Sequence, residues 1–249
     1  MPDLFEHAST CVVVPTYNNE RTLARVLDGI LTYTCHLIVV NDGSTDGTAA
    51  ILAGYPSIKV TTHPRNCGKG VALRSGFREA RTLGYKNVVT IDSDGQHFPT
   101  DLPAIAAAAQ AHPGTLIIGQ RNMTQEGVPG KSSFGNNFSN FWFRVETGIK
   151  LGDTQSGFRL YPISCMSKYY FTTKFELEIE VIVRAAWRGI PVMNIPIAVS
   201  YDKAERVSHF RPVKDFTRIS ILNTVLVAMT PLGLLRMWMT RAAKPSTGS

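Results

Sequence analysis

The sequence predicts an α/β protein built on a mostly parallel sheet flanked by helices. Apolar runs rich in β-branched residues alternate with helix-forming stretches from Cys11 to Gly119, and that βα rhythm is the signature of a doubly wound sheet. Three of the runs end on polar clusters, Thr16 to Glu20, Asn41 to Asp46 and Asp92 to His97. Right-handed crossovers bring parallel strand ends to one edge, so these clusters are expected to line a common crevice. A length of 249 residues suits one domain with an appendage, set here at 1–212 and 213–249.

The first strand is Cys11 to Val14, broken by Pro15, with Asn18 or Asn19 capping a helix from about Glu20 to Leu31. A second strand, Leu37 to Val40, ends on Asn41 and Asp42, and Ser44 to Asp46 supply caps for the next helix. A third, Ile58 to Thr62, leads through Asn66, Gly68 and Lys69 into an amphipathic helix ending near Leu83. The fourth carries Val88, Val89 and Ile91 and stops on Asp92 and Asp94. These carboxylates, with Gln96 and His97 beside them, offer hard oxygen donors and one nitrogen to Mg²⁺ or Mn²⁺; the plainer reading is a polar turn. Helix Asp101 to Ala111 and strand Thr115 to Gly119 complete the alternation.

If a nucleotide lies in the crevice, Asp42 is placed to accept from a base N–H, and Asn66, Gly68 and Lys69 form a wall at the base or phosphates. Equally, Asp42 reads as a turn residue and Lys69 as solvated.

Beyond Gln120 the rhythm lapses. Residues 121–133 read as a functional loop, and the aromatic stripe of Phe134, Phe138, Phe141 or Trp142 and Val145 as the core face of a helix rather than an acceptor groove. Asp153, Gln155 and Arg159 then precede a short strand, with Asp153 either a general base or the ion-pair partner of Arg159. Glu176, Glu178 and Glu180 open a helix whose positive end suits acids, so most of that charge is expected to be structural. A strand from Val192 to Tyr201 follows, and then a basic segment from Lys203 to Arg218 suited to phosphate oxygens or anionic lipid. From Ile219 to Leu235 there is no charge, but Pro231 and Gly233 interrupt the run, which predicts an interfacial or partner-docking helix rather than a span.

A formal net charge of +7 favours anionic partners. The Lys and Arg residues are scattered without a nucleic-acid motif, so nucleic acid is not expected. The four cysteines form no CxxC pair, and Asp3 and Glu6 lie where a signal peptide needs a basic then apolar run; both point to the cytoplasm.

The stretches CVVVPTYNNE, VVNDGSTDGT, NCGKGVALRSGF, TIDSDGQHFP and GDTQSGFRLYP, in this order, resemble the family 2 glycosyltransferases of GT-A fold, and within them the polyprenyl- and dolichyl-phosphate sugar synthases. The resemblance implies a Rossmann-like sheet, a nucleoside-diphosphate sugar donor, a divalent metal at an Asp-x-Asp motif and inversion at the anomeric carbon. Matched by position, Pro15, Tyr17 and Glu20 line the nucleoside pocket and Asp42 contacts the base. Asp92, Asp94 and Gln96 hold metal and diphosphate, and Arg121 faces phosphate. Asp153, Ser156 and Arg159 serve the acceptor side, and Arg206 and Ser208 fall where the lipid-phosphate synthases carry an Arg and a Ser-Lys pair. Those synthases usually read Arg-x-Gly-x-Ser-Lys, whereas here Arg206-Val-Ser-His-Phe-Arg211 stands. The expectation is therefore a peripheral enzyme at the inner membrane face, moving sugar to a lipid or lipid-like acceptor. A soluble acceptor, or nucleotidyl transfer on a similar sheet, is the alternative.

Overall fold

A computed structural model of the chain describes residues 4–124, 130–200 and 212–242. Seven strands form one sheet in the order β3-β2-β1-β4-β6-β5-β7: β1 (Thr10–Thr16), β2 (Leu37–Asn41), β3 (Lys59–Thr62), β4 (Asn87–Thr90), β5 (Leu116–Arg121), β6 (Arg159–Pro162) and β7 (Val192–Ile197). All are parallel except β6, which is antiparallel to both β4 and β5. The expected mostly parallel sheet is present, and the reversed strand has a functional consequence. Because β6 runs the other way, its first residue, Arg159, pairs with Thr90 at the end of β4, so the loop entering β6 shares an edge with the loops leaving the parallel strands.

Strand side chains alternate between two cores. Cys11 and Val13 face the layer that holds Leu73 and Phe77 of α4 (Lys69–Thr82) and Ile182 of α7 (Leu177–Trp187). Val12 and Val14 face the layer of Leu23 and Leu27 from α2 (Leu23–Leu31) and Leu102 and Ile105 from α5 (Leu102–Ala111). The remaining helices are α1 (Leu4–His7), α3 (Thr48–Ala53), α6 (Gly130–Thr147) and α8 (Pro212–Ala242).

Several expected boundaries move. Pro15 does not break β1; the strand continues to Thr16, with Pro15 in register with Val40. The Pro15 carbonyl points away from β2 and accepts from Ser93 Oγ at 3.2 Å, so its missing N–H lies on the side where β4 has already ended. Helix α2 starts at Leu23, later than expected, because Asn18 and Asn19 are spent on neighbouring loops rather than on caps. Pro231 and Gly233 do not interrupt α8, which runs for 31 residues, long and apolar enough to cross a membrane by length and composition. A Cβ at Gly233 would collide with the Trp187 ring, so this glycine lets α8 close on α7. Ile219, Leu222 and Leu226 bury one face of α8, while Ile221, Leu232, Leu235, Trp238 and Met239 stay exposed on it.

Candidate active site at the strand ends

The three polar loops do converge, through bonds that each needs from the others. Asn19 Nδ2 donates to Ser93 Oγ at 2.6 Å, and Thr22 Oγ1 donates to the Ser93 carbonyl at 2.6 Å, tying the β1 loop to the Asp-x-Asp segment. Asn18 N donates to Ser44 Oγ, and Thr45 N to Asn18 Oδ1 at 2.8 Å, tying the same loop to the one after β2. Glu20, an expected pocket residue, accepts from Gly47 N at 2.6 Å, and Pro15 is enclosed in the strand. Tyr17 is half-buried beside them.

Asp42 has a structural task. It is 2% exposed, and its carboxylate accepts from Cys67 N (2.9 Å) and Gly68 N (2.7 Å) and lies 2.6 Å from His63 Nδ1. The Nδ1 proton is shared with the Asp42 carboxylate, and the other ring nitrogen, Nε2, lies 2.9 Å from Ser75 Oγ. The chain Ser75–His63–Asp42 thus holds the turn at 66–68, where Gly68 adopts φ +101° before α4 begins. Asn66 stays exposed on that turn.

Lys69, the first residue of α4, is not simply solvated. Its ammonium lies 2.8 Å from Asp92 Oδ1 and 2.9 Å from Glu178 Oε2. Burial opposes charge on both Lys69 and Asp92, but the pairing prevails: the Lys69 pKa is raised and that of Asp92 held below the ordinary carboxylate range. A Cβ at Gly157 would run into Asp92 Oδ2, so glycine there is what lets the β6 loop pass the carboxylate. Asp94 Oδ1 accepts from Gln96 N at 3.0 Å, which folds the expected metal segment into a tight turn. Asp92, Asp94 and Gln96, neighbours in this turn, carry hard oxygen donors of the kind that suits Mg²⁺ or Mn²⁺.

The acceptor-side expectations need correction. Asp153 is fully buried, and its oxygens accept from Arg121 Nε (2.7 Å), Arg121 Nη2 (3.1 Å) and the backbone N–H groups of Arg121, Gln155 and Ser156. Burial raises the carboxyl pKa and the Arg121 pair lowers it, with a net fall. A saturated carboxylate of lowered pKa is a poor proton acceptor, so Asp153 is not placed as a general base, nor does it pair with Arg159. Arg159 is 1% exposed and donates to the carbonyls of Ser156, Thr154 and Glu178 and to Tyr161 Oη; it fastens the β6 loop to α7 rather than facing a ligand. Ser156 is buried, its Oγ accepting from Phe158 N. Arg121 is the acceptor-side group whose head is partly exposed. Arg206 and Ser208 lie outside the described residues, as does the basic segment up to residue 211; Lys214 and Arg218 fall in the first turns of α8.

Glu178 is the crevice residue that sequence reasoning set aside. Glu176 and Glu180, four residues apart, share one face of the start of α7 and Glu178 lies on another, yet all are buried. Acids buried on two faces of a helix need partners, and their spacing within an otherwise apolar run was the available signal. Glu180 accepts from Phe171 N, Thr172 N and Arg184 Nη1, whereas Glu178 meets Lys69. His97 is also enclosed: burial pushes its imidazole down to about 4, and Nδ1 has no hydrogen-bond partner among the described residues.

A crevice at the carboxyl edge of a Rossmann-like sheet, carrying an Asp-x-Asp turn, a lysine and an arginine, is a site for an anionic nucleotide-type ligand. Residues 11–170 match the model of glycosyl transferase family 2, and the chain belongs to that family. It is a glycosyltransferase of GT-A fold, and its relatives support the polyprenyl- and dolichyl-phosphate sugar synthase branch. Polyprenol monophosphomannose synthase of Mycolicibacterium smegmatis is 29% identical over 203 residues, covering 76% of each chain. Human dolichyl-phosphate beta-glucosyltransferase is 28% identical over 223 residues, covering 75% of this chain and 65% of the relative. Among solved structures, glucosyl-3-phosphoglycerate synthase from Mycobacterium tuberculosis, in complex with Mn²⁺, UDP and phosphoglyceric acid, superimposes with a TM-score of 0.63 at 21% identity, covering 98% of this chain and 82% of the other. That likeness is one of fold.

Proposed function

We propose that the chain is an inverting, divalent-metal-dependent glycosyltransferase that moves a sugar from a nucleoside-diphosphate sugar to a lipid phosphate at the cytoplasmic membrane face. The observation that carries the acceptor class is the state of Asp153. A hydroxyl acceptor needs a base, and the carboxylate placed by sequence for that work is saturated by Arg121 and backbone amides. A phosphate oxygen is already anionic and needs none. The names of the polyprenol and dolichyl-phosphate relatives support the same class.

In this reading Pro15, Tyr17, Glu20, Asn66 and the Asp42-held turn frame the nucleoside, and Lys69 and Arg121 face phosphate charge. As the glycosidic bond breaks, negative charge gathers on the leaving diphosphate; Lys69 sits beside Asp92 to meet it, and Arg121, fixed by Asp153, holds the incoming anion. A divalent cation held by Asp92, Asp94 and Gln96 would neutralise that diphosphate. Arg206 and Ser208 are proposed to complete the phosphate cradle. Residues 1–212 form the catalytic domain and 213–249 the element that meets the membrane, with the exposed face of α8 toward lipid.

A donor screen by thermal scanning tests the reading: UDP-, GDP- and dTDP-sugars are added with Mn²⁺, and a true donor raises the midpoint only when metal is present. No stabilisation by any donor contradicts it. Transfer to a soluble acceptor, as the phosphoglyceric acid bound in the solved neighbour suggests, is the second reading, and an acceptor partition assay separates it from the first.

A further inference from the structure

At the β2 end of the crevice, Asp42, His63 and Cys67 each bring one ligand atom to within 4.8 Å of the others. The set is a carboxylate oxygen, an imidazole nitrogen and a thiol sulfur. That mixture suits a borderline-soft cation, whereas Asp92, Asp94 and Gln96 offer only hard oxygen. Outer partners are already in place. Gly68 N on Asp42 Oδ2 (2.7 Å) and Cys67 N on Oδ1 (2.9 Å) fix the carboxylate, and Ser75 Oγ stands 2.9 Å from His63 Nε2. Ligating histidines regularly bind an outer group through their second nitrogen, and Ser75 fills that position. The Asp42 and His63 side chains are only 3% and 12% exposed, while Cys67 is reachable from solvent, so the group is sheltered but open to an ion.

We infer that Asp42 Oδ1, His63 Nδ1 and Cys67 Sγ form a binding site for a thiophilic divalent cation such as Zn²⁺, distinct from the hard-oxygen set, with water in the fourth position. Cys67 loses its thiol proton to solvent as the S–metal bond forms. From a neutral His63 the ring proton passes from Nδ1 to Nε2, where it is donated to Ser75 Oγ, and each cation bound then releases a single proton. The ion takes over the side of Asp42 that His63 now occupies and clamps the turn at 66–68. If that turn frames the donor nucleoside, as proposed above, Zn²⁺ inhibits transfer; this consequence rests on the donor-site reading, and the binding itself does not.

Co²⁺ is the optical probe. Titrated into the purified full chain, it is expected to produce a thiolate-to-cobalt charge-transfer band that saturates at one equivalent and is displaced by Zn²⁺. Cys67→Ala abolishes the band, Cys35→Ala keeps it, and His63→Ala weakens binding at least about tenfold. The absence of a band, or its survival in Cys67→Ala, overturns the site. Turnover with Mn²⁺ is then measured for each variant against its own zinc-free rate. Wild type is inhibited by Zn²⁺, and Cys67→Ala requires at least about tenfold more. Equal inhibition of the two overturns the regulatory consequence. Failure of every donor counts against the proposed function alone, and the cobalt titration still decides the site.

Discussion

At Lys69 the local charge decides how the crevice treats a divalent cation. The ammonium lies between Asp92 and Glu178, so a metal that draws on Asp92 competes with Lys69 for its charge. Lys69→Met is therefore expected to strengthen Mn²⁺ binding and Asp94→Ala to weaken it, read as free Mn²⁺ by electron paramagnetic resonance, and Asp94→Ala to lower kcat by at least ~100-fold. A Mn²⁺ affinity that neither variant changes would refute this assignment. Asp153→Asn should leave the acid limb of the pH–rate profile where it is, because the carboxylate takes no proton from substrate. Its effect falls on stability: removing one partner of the buried Asp153–Arg121 pair costs about 3–5 kcal/mol, read by urea unfolding. The folded pKa of Asp153 is lowered, so its contribution is present above the ordinary carboxylate value and is lost as pH falls through the folded one. For the turn at 66–68, His63→Asn keeps a donor where Nδ1 stood and His63→Gln moves it to where Nε2 stood. Asn should hold the donor KM within a few-fold of wild type and Gln should not. At this scale the residue types of the site were legible in the sequence, but their partners were not. Asp153 is satisfied by a side chain from β5 and by amides of its own turn, and Asp42 by a histidine beyond β3; neither pairing leaves a local pattern.

Among the elements, strands with apolar runs and polar ends were readable because a buried parallel strand has few other compositions. The direction of β6 was not, since four residues carry no mark of which way they run. That reversal is what delivers the loop at 153–158 to the crevice. The continuity of α8 was also hidden, because local breaker residues are tolerated where tertiary packing, here Gly233 on Trp187, compensates. Helix α6 carries a testable strain of its own. Glu146 is fully buried, neither carboxyl oxygen has a hydrogen-bond partner among the described residues, and burial pushes its pKa up to about 8. With the folded value above the unfolded one, its contribution is fully present below about 4.5 and is lost as pH rises through about 8. Glu146→Gln should match wild type near pH 4.5 and be more stable above pH 8 by a few kcal/mol, on the order of the linkage over that interval. A parallel pair of stability curves would contradict the burial argument.

Over the whole molecule, the proposed membrane role draws on a formal charge of +7 and on the exposed outer face of α8. Leu232 is 72% exposed and Trp238 68%, and Phe134 and Phe141 add aromatic surface from α6. Exposed apolar area of this kind beside basic residues fits an anionic lipid surface. The double variant Leu232→Glu, Trp238→Glu should lose flotation with anionic vesicles while keeping the thermal midpoint, because neither side chain is in the core; unchanged flotation would reassign the face to a protein partner. The most direct measurement of the central claim is a partition assay. Purified protein is incubated with Mn²⁺, a polyprenyl phosphate in detergent, phosphoglyceric acid as the competing acceptor, and the radiolabelled nucleotide sugar that stabilises it. Label is expected to move into the butanol phase only when metal and lipid phosphate are both present. Label passing instead to the soluble acceptor, or to lipid at an equal rate after the metal is chelated, would contradict it.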